Sequence, residues 1–240
     1  MPVLPDTQLK FSLIVPTFQE AGNIQDFLVE TCAVLDRELR LRYEVIVVDD
    51  ESPDGTWLLA NRMTSKLPAV RVMRRKGERG LAKAVIRGYQ AARGELLGTI
   101  NANFQHPPQV ITALIRKAHE ADVVVASRFC PGAGTGDWSI NRLLLSIGAV
   151  QAGRLLLPEV FSGLTDPLSG CYLFHRDAID GLELAPLGAR TLIEILARGR
   201  ARTVVECPYE MRARRRGSRK PTFESPLAFL KHLRNLRNAA

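Results

Sequence analysis

The strongest chemical signal in this sequence is a set of polar residues that directly follows a short apolar run. The run is Leu97-Gly98-Thr99-Ile100, and the segment Asn101-Ala102-Asn103-Phe104-Gln105 comes straight after it. His106 and two prolines follow, and such prolines permit a helix to begin near position 109. This order predicts a strand that delivers polar side chains to the carboxyl edge of a sheet, where open α/β sheets bind ligands.

Two other apolar runs also end in polar loops. Thr17-Phe18-Gln19-Glu20 follows one run, and the segment from Asp49 to Thr56 follows the other. Carboxylates accept hydrogen bonds from the donors of a base or a ribose, and short polar loops permit a ligand to approach closely. The alternative is that Asp49, Asp50 and Ser52 only cap the helix that follows them.

Apolar runs and helical spacing alternate along the first half of the chain, which indicates four or five β-to-α units. Strands are predicted at 11–16, 43–48, 70–73, 97–100 and 122–128, with later strands at 171–174 and 204–209. Helices are predicted between the early strands and at 140–157, 189–198 and from 225 onward. We therefore expect an α/β fold with a mainly parallel central sheet and helices on both faces.

Composition limits the class of protein. A chain of 240 residues can bury the core of one sizeable domain with an appendage. The net charge of +8 indicates an anionic partner, which could be nucleic acid, a membrane surface or a phosphorylated substrate. Four scattered cysteines without a Cys-x-x-Cys pair disfavour a zinc site and a disulfide framework. Because no signal-peptide pattern or long apolar span is present, we expect a cytoplasmic protein that can associate peripherally with the cytoplasmic face of a membrane.

The end of the chain predicts a basic amphipathic helix. Ser225-Pro226 resembles a cap and first turn. One side carries Leu227, Leu230, Leu233 and Leu236, and the other carries Lys231, Arg234 and Arg237. Such a helix suits the surface of an anionic bilayer, and packing on its own domain is the alternative. We assign residues 1–221 to the main domain and residues 222–240 to this helix.

Taken in order, the strand ends resemble glycosyltransferase family 2, whose inverting, nucleotide-sugar-dependent members have the GT-A fold. The similarity is greatest to the dolichyl-phosphate (polyprenyl-phosphate) mannosyltransferase branch and runs from about residue 12 to residue 220. It rests on the segments Val15–Glu20, Val47–Thr56, Gly80-Leu81 with Ala84 and Gly88, Gln105–Pro108, Ala126–Arg128 and Asp166–Gly170. Each segment alone is weakly specific, whereas their order and spacing are highly specific.

The resemblance implies two binding sites and a catalytic set. The nucleotide sugar is expected at Pro16, Thr17, Glu20, Asp50, Ser52, Asn101, Ala102 and Asn103, although Phe18 and Gln19 replace the usual Tyr and Asn. The acceptor phosphate is expected at Arg128, Arg142, Ser146, Arg214 and Lys220, where guanidiniums offer planar, permanently charged donors. The alternative for these arginines is a solvated basic surface. Asp166 is expected to orient the sugar or the arginines, so the implied catalytic residues are Asp166, Arg128, Arg142 and Arg214.

One departure from the family concerns the metal. Relatives carry Asp-x-Asp, which helps to bind a divalent cation on the diphosphate, where this chain has Asn101-Ala102-Asn103. Only neutral oxygens of Asn101, Asn103 and Gln105 would then face Mg²⁺ or Mn²⁺, which weakens the site severely, since each lost charge pair about 4 Å apart is worth roughly 4 kcal/mol. Three interpretations stay open: weak metal binding, neutralisation of the diphosphate by arginine and lysine, or lost catalysis with retained ligand binding. His106 is expected to support this turn rather than act as a base.

The expected reaction transfers a hexose, with mannose favoured over glucose, from a nucleotide diphosphate sugar such as GDP-mannose to polyprenyl or dolichyl phosphate. A phosphomonoester is already anionic at neutral pH, so its attack on the sugar needs no general base. An acceptor hydroxyl would need one, and Asp166 would be the first candidate. The alternative function is a catalytically silent relative that binds nucleotide sugar or lipid phosphate as a regulatory subunit. Nucleic acid is not an expected partner, because the sequence has no recognition motif or aromatic stacking platform.

Overall fold

A computed structural model describes residues 9–184, 190–217 and 226–239. Seven strands form one sheet: β1 (Phe11–Thr17), β2 (Tyr43–Asp49), β3 (Val70–Arg74), β4 (Leu96–Thr99), β5 (Val123–Ser127), β6 (Tyr172–His175) and β7 (Val204–Pro208). Their order is β3-β2-β1-β4-β6-β5-β7, and all neighbours pair in parallel except β6, which is antiparallel to both β4 and β5. The mainly parallel sheet expected from the apolar runs is confirmed.

Helices cover both faces of this sheet. They are α1 (Ile24–Leu39), α2 (Thr56–Met63), α3 (Leu81–Ala91), α4 (Val110–Lys117), α5 (Ile140–Leu156), α6 (Pro158–Phe161), α7 (Thr191–Arg198) and α8 (Pro226–Ala239), with a 3-10 turn at Arg176–Ile179. Alternate residues of β1 face opposite sides, so that Leu13 and Val15 join α1, α2 and α4 while Ile14 joins α3 and α7. Burial on both faces explains why β1 and β2 are almost wholly apolar.

The close approach of α3 to the sheet depends on a glycine. A Cβ atom at Gly88 would lie only 2.5 Å from the side chain of Ile14 on β1. Any larger residue would push α3 outward, because protein cores are close-packed. This packing fixes the amino end of α3, which begins after Gly80, beside the loops at the carboxyl ends of the strands.

Helix α8 packs on its own domain. Phe229, Leu233 and Leu236 are buried in a cluster with residues of α5, α6 and α7. Leu227 is exposed, so the buried face is rotated from the stripe that the sequence predicted. The apolar side of α8 is therefore covered by protein, as the alternative interpretation held. In the described part of the chain, no helix combines the length and the apolar character needed to cross a bilayer.

Candidate active site

Three of the loops at the carboxyl edge turn sharply through a left-handed residue that is not glycine. The φ angles are 55° at Gln19 after β1, 53° at Glu51 after β2 and 62° at Phe104 after β4. Side chains disfavour this region, and such strain concentrates at functional sites when the surrounding structure enforces it. These turns coincide with the polar segments that the sequence identified.

Asp49 ties the tips of β1 and β2 together. Its Oδ2 atom accepts hydrogen bonds from the hydroxyls of Thr17 (2.8 Å) and Ser52 (2.6 Å). The Ser52 hydroxyl in turn accepts from the Gln19 N–H at 2.9 Å. Helix α2 takes its first-turn contact from Asp54, which accepts from the Thr56 N–H at 3.1 Å. Asp49 and Ser52 therefore connect the loops after β1 and β2 and do not cap α2.

Asp50 faces a buried cation that sequence analysis did not single out. Its Oδ2 atom accepts from the Gly80 N–H at 2.8 Å, and its Oδ1 atom lies 3.3 Å from Nε of Arg75. Burial raises the pKa of the Asp50 carboxyl, although the Gly80 N–H and Arg75 act in the opposite direction. The guanidinium nitrogens of Arg75 have no hydrogen-bond partner in the structure as described. The sequence contains many arginines, and nothing in the segment around Arg75 indicates that this one is buried.

Glu20, which the resemblance places at the nucleotide sugar, binds Arg214. Its Oε1 atom accepts from both terminal nitrogens of Arg214, at 2.9 and 2.8 Å, and its Oε2 atom accepts from Asn23 at 2.9 Å. Among the described residues, Arg214 does not line the cavity that contains Arg128 and Arg142, so the three arginines expected at the acceptor phosphate do not share that one space. Lys220, also expected at the acceptor phosphate, lies outside the described residues.

A cavity of about 1290 Å³ brings together residues from the middle of the chain and from α5. Its lining includes Asn101, Gln105, His106, Arg128, Arg142 and Ser146. Arg142 and Ser146 lie on one face of α5, as their spacing predicted. Of the other expected residues, Ala102 is buried in the core beneath the turn. The turn after β4 and two of the expected phosphate-binding arginines thus share one space.

Asp166 fixes the position of Arg128. Its Oδ2 atom accepts from Nε of Arg128 at 2.6 Å, and its Oδ1 atom accepts from Nη2 at 2.6 Å. Asp166 is fully buried, and its own N–H donates to Glu206 at 2.8 Å. Both carboxylate oxygens are therefore engaged, which suits an orienting group better than a general base. Glu206 was not identified from the sequence, where it lies in an ordinary edge strand.

Trp138 forms a platform for both arginines of the cavity. The guanidinium carbons of Arg128 and Arg142 lie 4.7 and 3.8 Å from the centre of its ring. Cation–π contact of this kind orients both guanidiniums against one aromatic ring. The sequence analysis missed Trp138, although a tryptophan directly before the Ser139 cap of a basic helix was a usable signal.

His106 packs inside the same region. Its ring stacks on Tyr209 with centroids 5.0 Å apart, and it is buried. Burial, with a smaller contribution from the positive charge of Arg128, lowers the pKa of His106 to about 3. The imidazole is therefore neutral at physiological pH and too weakly basic to accept a proton readily.

The turn after β4 carries amides that bind each other. The Oδ1 atom of Asn103 accepts from the Gln105 N–H at 3.0 Å, and Nδ2 of Asn103 donates to Oε1 of Gln105 at 3.0 Å. Within residues 9–184, 190–217 and 226–239, no group of three His, Cys, Asp or Glu side chains is placed to hold a metal ion. This donor set differs from the carboxylate pair that the family resemblance implies.

Comparison with known proteins places this geometry in a family. Residues 12–182 match the family model described as Glycosyl transferase family 2. The chain is 38% identical over 230 residues to a dolichol-phosphate mannosyltransferase of Pyrococcus furiosus, covering 95% of this chain and 64% of that protein. It is 27% identical to a dolichol-phosphate mannosyltransferase of Saccharomyces cerevisiae, covering 95% of this chain and 87% of the relative.

Solved structures give the fold. Glucosyl-3-phosphoglycerate synthase from Mycobacterium tuberculosis, in complex with Mn²⁺, UDP-glucose and phosphoglyceric acid, superposes with a TM-score of 0.71 at 20% identity, covering 95% of this chain and 80% of that one. The fold is the GT-A fold, as the resemblance implied. The match of the family model to residues 12–182, which make up more than half of the chain, establishes that the chain belongs to glycosyl transferase family 2.

Proposed function

We propose that this protein transfers a hexose, with mannose favoured, from a nucleotide diphosphate sugar to a polyprenyl or dolichyl phosphate. The observation that carries the proposal is the pair of guanidiniums, Arg128 and Arg142, that share the Trp138 platform in the cavity containing Asn101 and Gln105. Mannose is favoured because the relatives from Pyrococcus and Saccharomyces are dolichol-phosphate mannosyltransferases. GDP-mannose is accordingly the donor we expect.

The proposed chemistry follows from a phosphate acceptor. One phosphate oxygen attacks the anomeric carbon while the bond from that carbon to the diphosphate oxygen breaks, so the configuration inverts and the nucleoside diphosphate leaves. A phosphomonoester with a second pKa near 6 already carries the attacking charge at neutral pH. The protein then has to align the two substrates and stabilise the departing charge. Asp166 contributes by holding Arg128 in place.

A membrane surface is the proposed location of the acceptor. Leu144 and Leu145, which belong to the cavity lining, are 60% and 71% exposed. Ile140 and Leu155 of the same helix are 75% and 81% exposed. An apolar edge beside a phosphate-binding pocket suits a ligand whose phosphate enters the cavity while its hydrocarbon chain stays in a bilayer.

A transfer assay tests the proposal. The purified chain is incubated with radiolabelled GDP-mannose or UDP-glucose and dolichyl phosphate in detergent, and label in the organic phase is counted. We expect label in the lipid, with GDP-mannose the better donor. Arg142→Ala should lower the rate about a hundredfold through loss of charge at the acceptor, whereas Arg87→Ala, on the exposed side of α3, should leave it unchanged.

The assay also separates the alternative function. Nucleotide-sugar binding without transfer to any lipid phosphate would favour a silent, regulatory relative and contradict the proposal. Equal losses in Arg142→Ala and Arg87→Ala would show that bulk charge, rather than the cavity, supports the reaction.

A further inference from the structure

In the turn that follows β4, the side-chain amides hydrogen-bond to other groups of the same turn and are not arranged around a cation. A backbone N–H can only donate, so the atom of Asn103 that faces the Gln105 N–H at 3.0 Å must be its oxygen. The amide nitrogen of Asn103 then points to Gln105, whose facing atom must also be an oxygen, at 3.0 Å. Two of the three side-chain oxygens in this turn therefore already accept hydrogen bonds. Neutral amide oxygens that already accept hydrogen bonds attract a hard divalent ion much less strongly than a pair of carboxylates does.

The carboxylates around this turn are already bound to other groups. Asp49 holds Thr17 and Ser52, Asp166 holds Arg128, and Glu20 holds Arg214. None of these side chains can replace the missing aspartates without breaking a buried contact. The residues present do not fit the divalent cation seen in a relative of the same fold, which was solved with Mn²⁺ and UDP-glucose.

Positive charge occupies the same region instead. The described lining of the large cavity contains three arginines, Arg128, Arg142 and Arg190, and no aspartate or glutamate. Aspartates at 101 and 103 would remove much of this positive charge, whereas the asparagines preserve it. Guanidiniums bind phosphate oxygens directly through charge-assisted hydrogen bonds.

A basic segment, Arg212–Gly217, is hydrogen-bonded to the turn. The N–H of Arg212 donates to the Gln105 carbonyl at 3.0 Å, and that of Arg215 donates to the Asn103 carbonyl at 3.4 Å. The guanidiniums of Arg214, Arg215 and Arg216 pair with Glu20, Glu30 and Gly22. The Arg212 guanidinium has no ion pair or hydrogen bond to any described residue. It is therefore the arginine of this segment that is available to an incoming anion.

We propose that this chain binds the diphosphate of its nucleotide sugar without a divalent cation, and that Arg212 supplies positive charge at the turn where Asn101 and Asn103 replace carboxylates. This inference rests on the proposed function, since it concerns the same donor site. It also selects among the three interpretations that the sequence left open, in favour of neutralisation by arginine.

Binding measurements with GDP and UDP test this proposal apart from catalysis. Titration calorimetry on the full chain, in EDTA and in excess Mn²⁺, should give dissociation constants for the tighter nucleotide that differ by less than about threefold. The variant N101D/N103D retains the side-chain shapes and should bind the nucleotide at least about tenfold more weakly in EDTA. Mn²⁺ should restore its affinity for the nucleotide. Electron paramagnetic resonance should detect protein-bound Mn²⁺ with nucleotide in the variant only.

Two further variants test Arg212. Arg212→Ala should weaken nucleotide binding in EDTA about tenfold, with Arg212→Lys intermediate, while the matched control Arg216→Ala should bind as the wild type does. Thermal unfolding of each variant checks that the fold is intact. Equal weakening in Arg212→Ala and Arg216→Ala would overturn the role of Arg212.

The outcomes separate this inference from the function beneath it. Wild-type binding that appears only with Mn²⁺, or rises tenfold or more with it, would overturn metal independence and leave the glycosyl-transfer proposal standing. Failure to bind GDP or UDP under either condition would overturn both.

Discussion

His106 illustrates how one buried side chain couples the site to pH. The imidazole is buried against Tyr209, and the positive charge of Arg128 interacts with it electrostatically. Both burial and a neighbouring cation disfavour the protonated ring, which places the pKa of His106 near 3 in the folded protein. In the unfolded chain the same ring has a pKa near 6.5. Folding therefore expels a proton whenever the pH lies between these values.

Burial of the neutral His106 ring makes the folded protein less stable in acid. Below about pH 6.5 the unfolded chain binds more protons than the folded one, so the free energy of unfolding falls as the pH falls toward 3. Lowering the pH from 7 to 5 should cost about 2 kcal/mol through this group alone. We predict that His106→Phe, which keeps a ring for stacking on Tyr209, abolishes that component in urea unfolding.

The matched control is His119→Gln, since His119 is an exposed histidine on another part of the surface. A His106→Phe variant that retains the full acid sensitivity of the wild type would contradict the assignment.

At the level of single residues, the sequence located the strand-end clusters but not their partners. The pairing of Arg214 with Glu20 and of Asp50 with Arg75 joins positions far apart in the chain, and no local spacing encodes it.

The strands that position the site are held together at their amino-terminal ends, opposite the site. Glu44 of β2 is buried and binds three neighbouring elements: the Ser12 hydroxyl of β1 at 2.8 Å, Nη1 of Arg71 in β3 at 2.6 Å and the Arg93 N–H after α3 at 2.7 Å. Burial acts to raise the pKa of Glu44, but these donors, Arg71 first, outweigh it, so the net pKa lies below its ordinary value of 4.5. One carboxylate thus holds together the amino-terminal ends of the strands.

We predict that Glu44→Ala lowers the free energy of unfolding by about 1–3 kcal/mol, because the buried Ser12 hydroxyl loses its acceptor and the Arg93 N–H loses the nearer of its two acceptors. Glu44→Gln keeps an acceptor and should cost less. Since the folded pKa is depressed, the contribution of Glu44 is present above about pH 4.5 and is lost as the pH falls through the folded value. Urea titrations of both variants at pH 7 and pH 4 measure this, and an equal cost in the two variants would contradict it.

Local pattern was sufficient for the strands and most helices and insufficient for their arrangement. Apolar runs predicted β1 to β7 within a few residues. The signal was clearest for β1, β2 and β5, because a strand that is buried on both sheet faces is continuously apolar. The insertion of β6 between β4 and β5, antiparallel to both, has no local signature because it is a long-range pairing. The face of α8 was misassigned because leucine spacing alone could not show that Phe229, rather than Leu227, meets α5.

The molecule as a whole presents an apolar edge next to a positively charged cavity. The exposed leucines of α5 lie beside Arg142 and Ser146 on the same helix, whereas Leu41 is exposed at the amino-terminal end of β2. The proposed ligand site lies at the carboxyl ends of the strands, so Leu41 is at the opposite edge of the sheet. Only the first of these two surfaces combines exposed apolar area with the groups that the proposed function assigns to phosphate binding.

We predict that replacing Leu144 and Leu145 with lysine reduces flotation with vesicles containing dolichyl phosphate by about tenfold, because apolar burial in the bilayer is lost. Lysine preserves attraction to anionic lipid, so a loss reports on apolar contact. The control Leu41→Lys should float as the wild type does. Undiminished flotation of the α5 variant would show that this edge does not face the membrane.

In the proposed reaction the acceptor is a lipid phosphate that Arg128 and Arg142 align. The most direct measurement compares hexose transfer to polyprenyl phosphate with transfer to the matching polyprenol, which differs only in lacking the phosphate. We predict transfer to the phosphate and none to the alcohol, because the described residues that line the cavity offer guanidiniums for an anion and include no group poised to deprotonate a hydroxyl. Equal transfer to the alcohol, or transfer to neither lipid, would contradict this account.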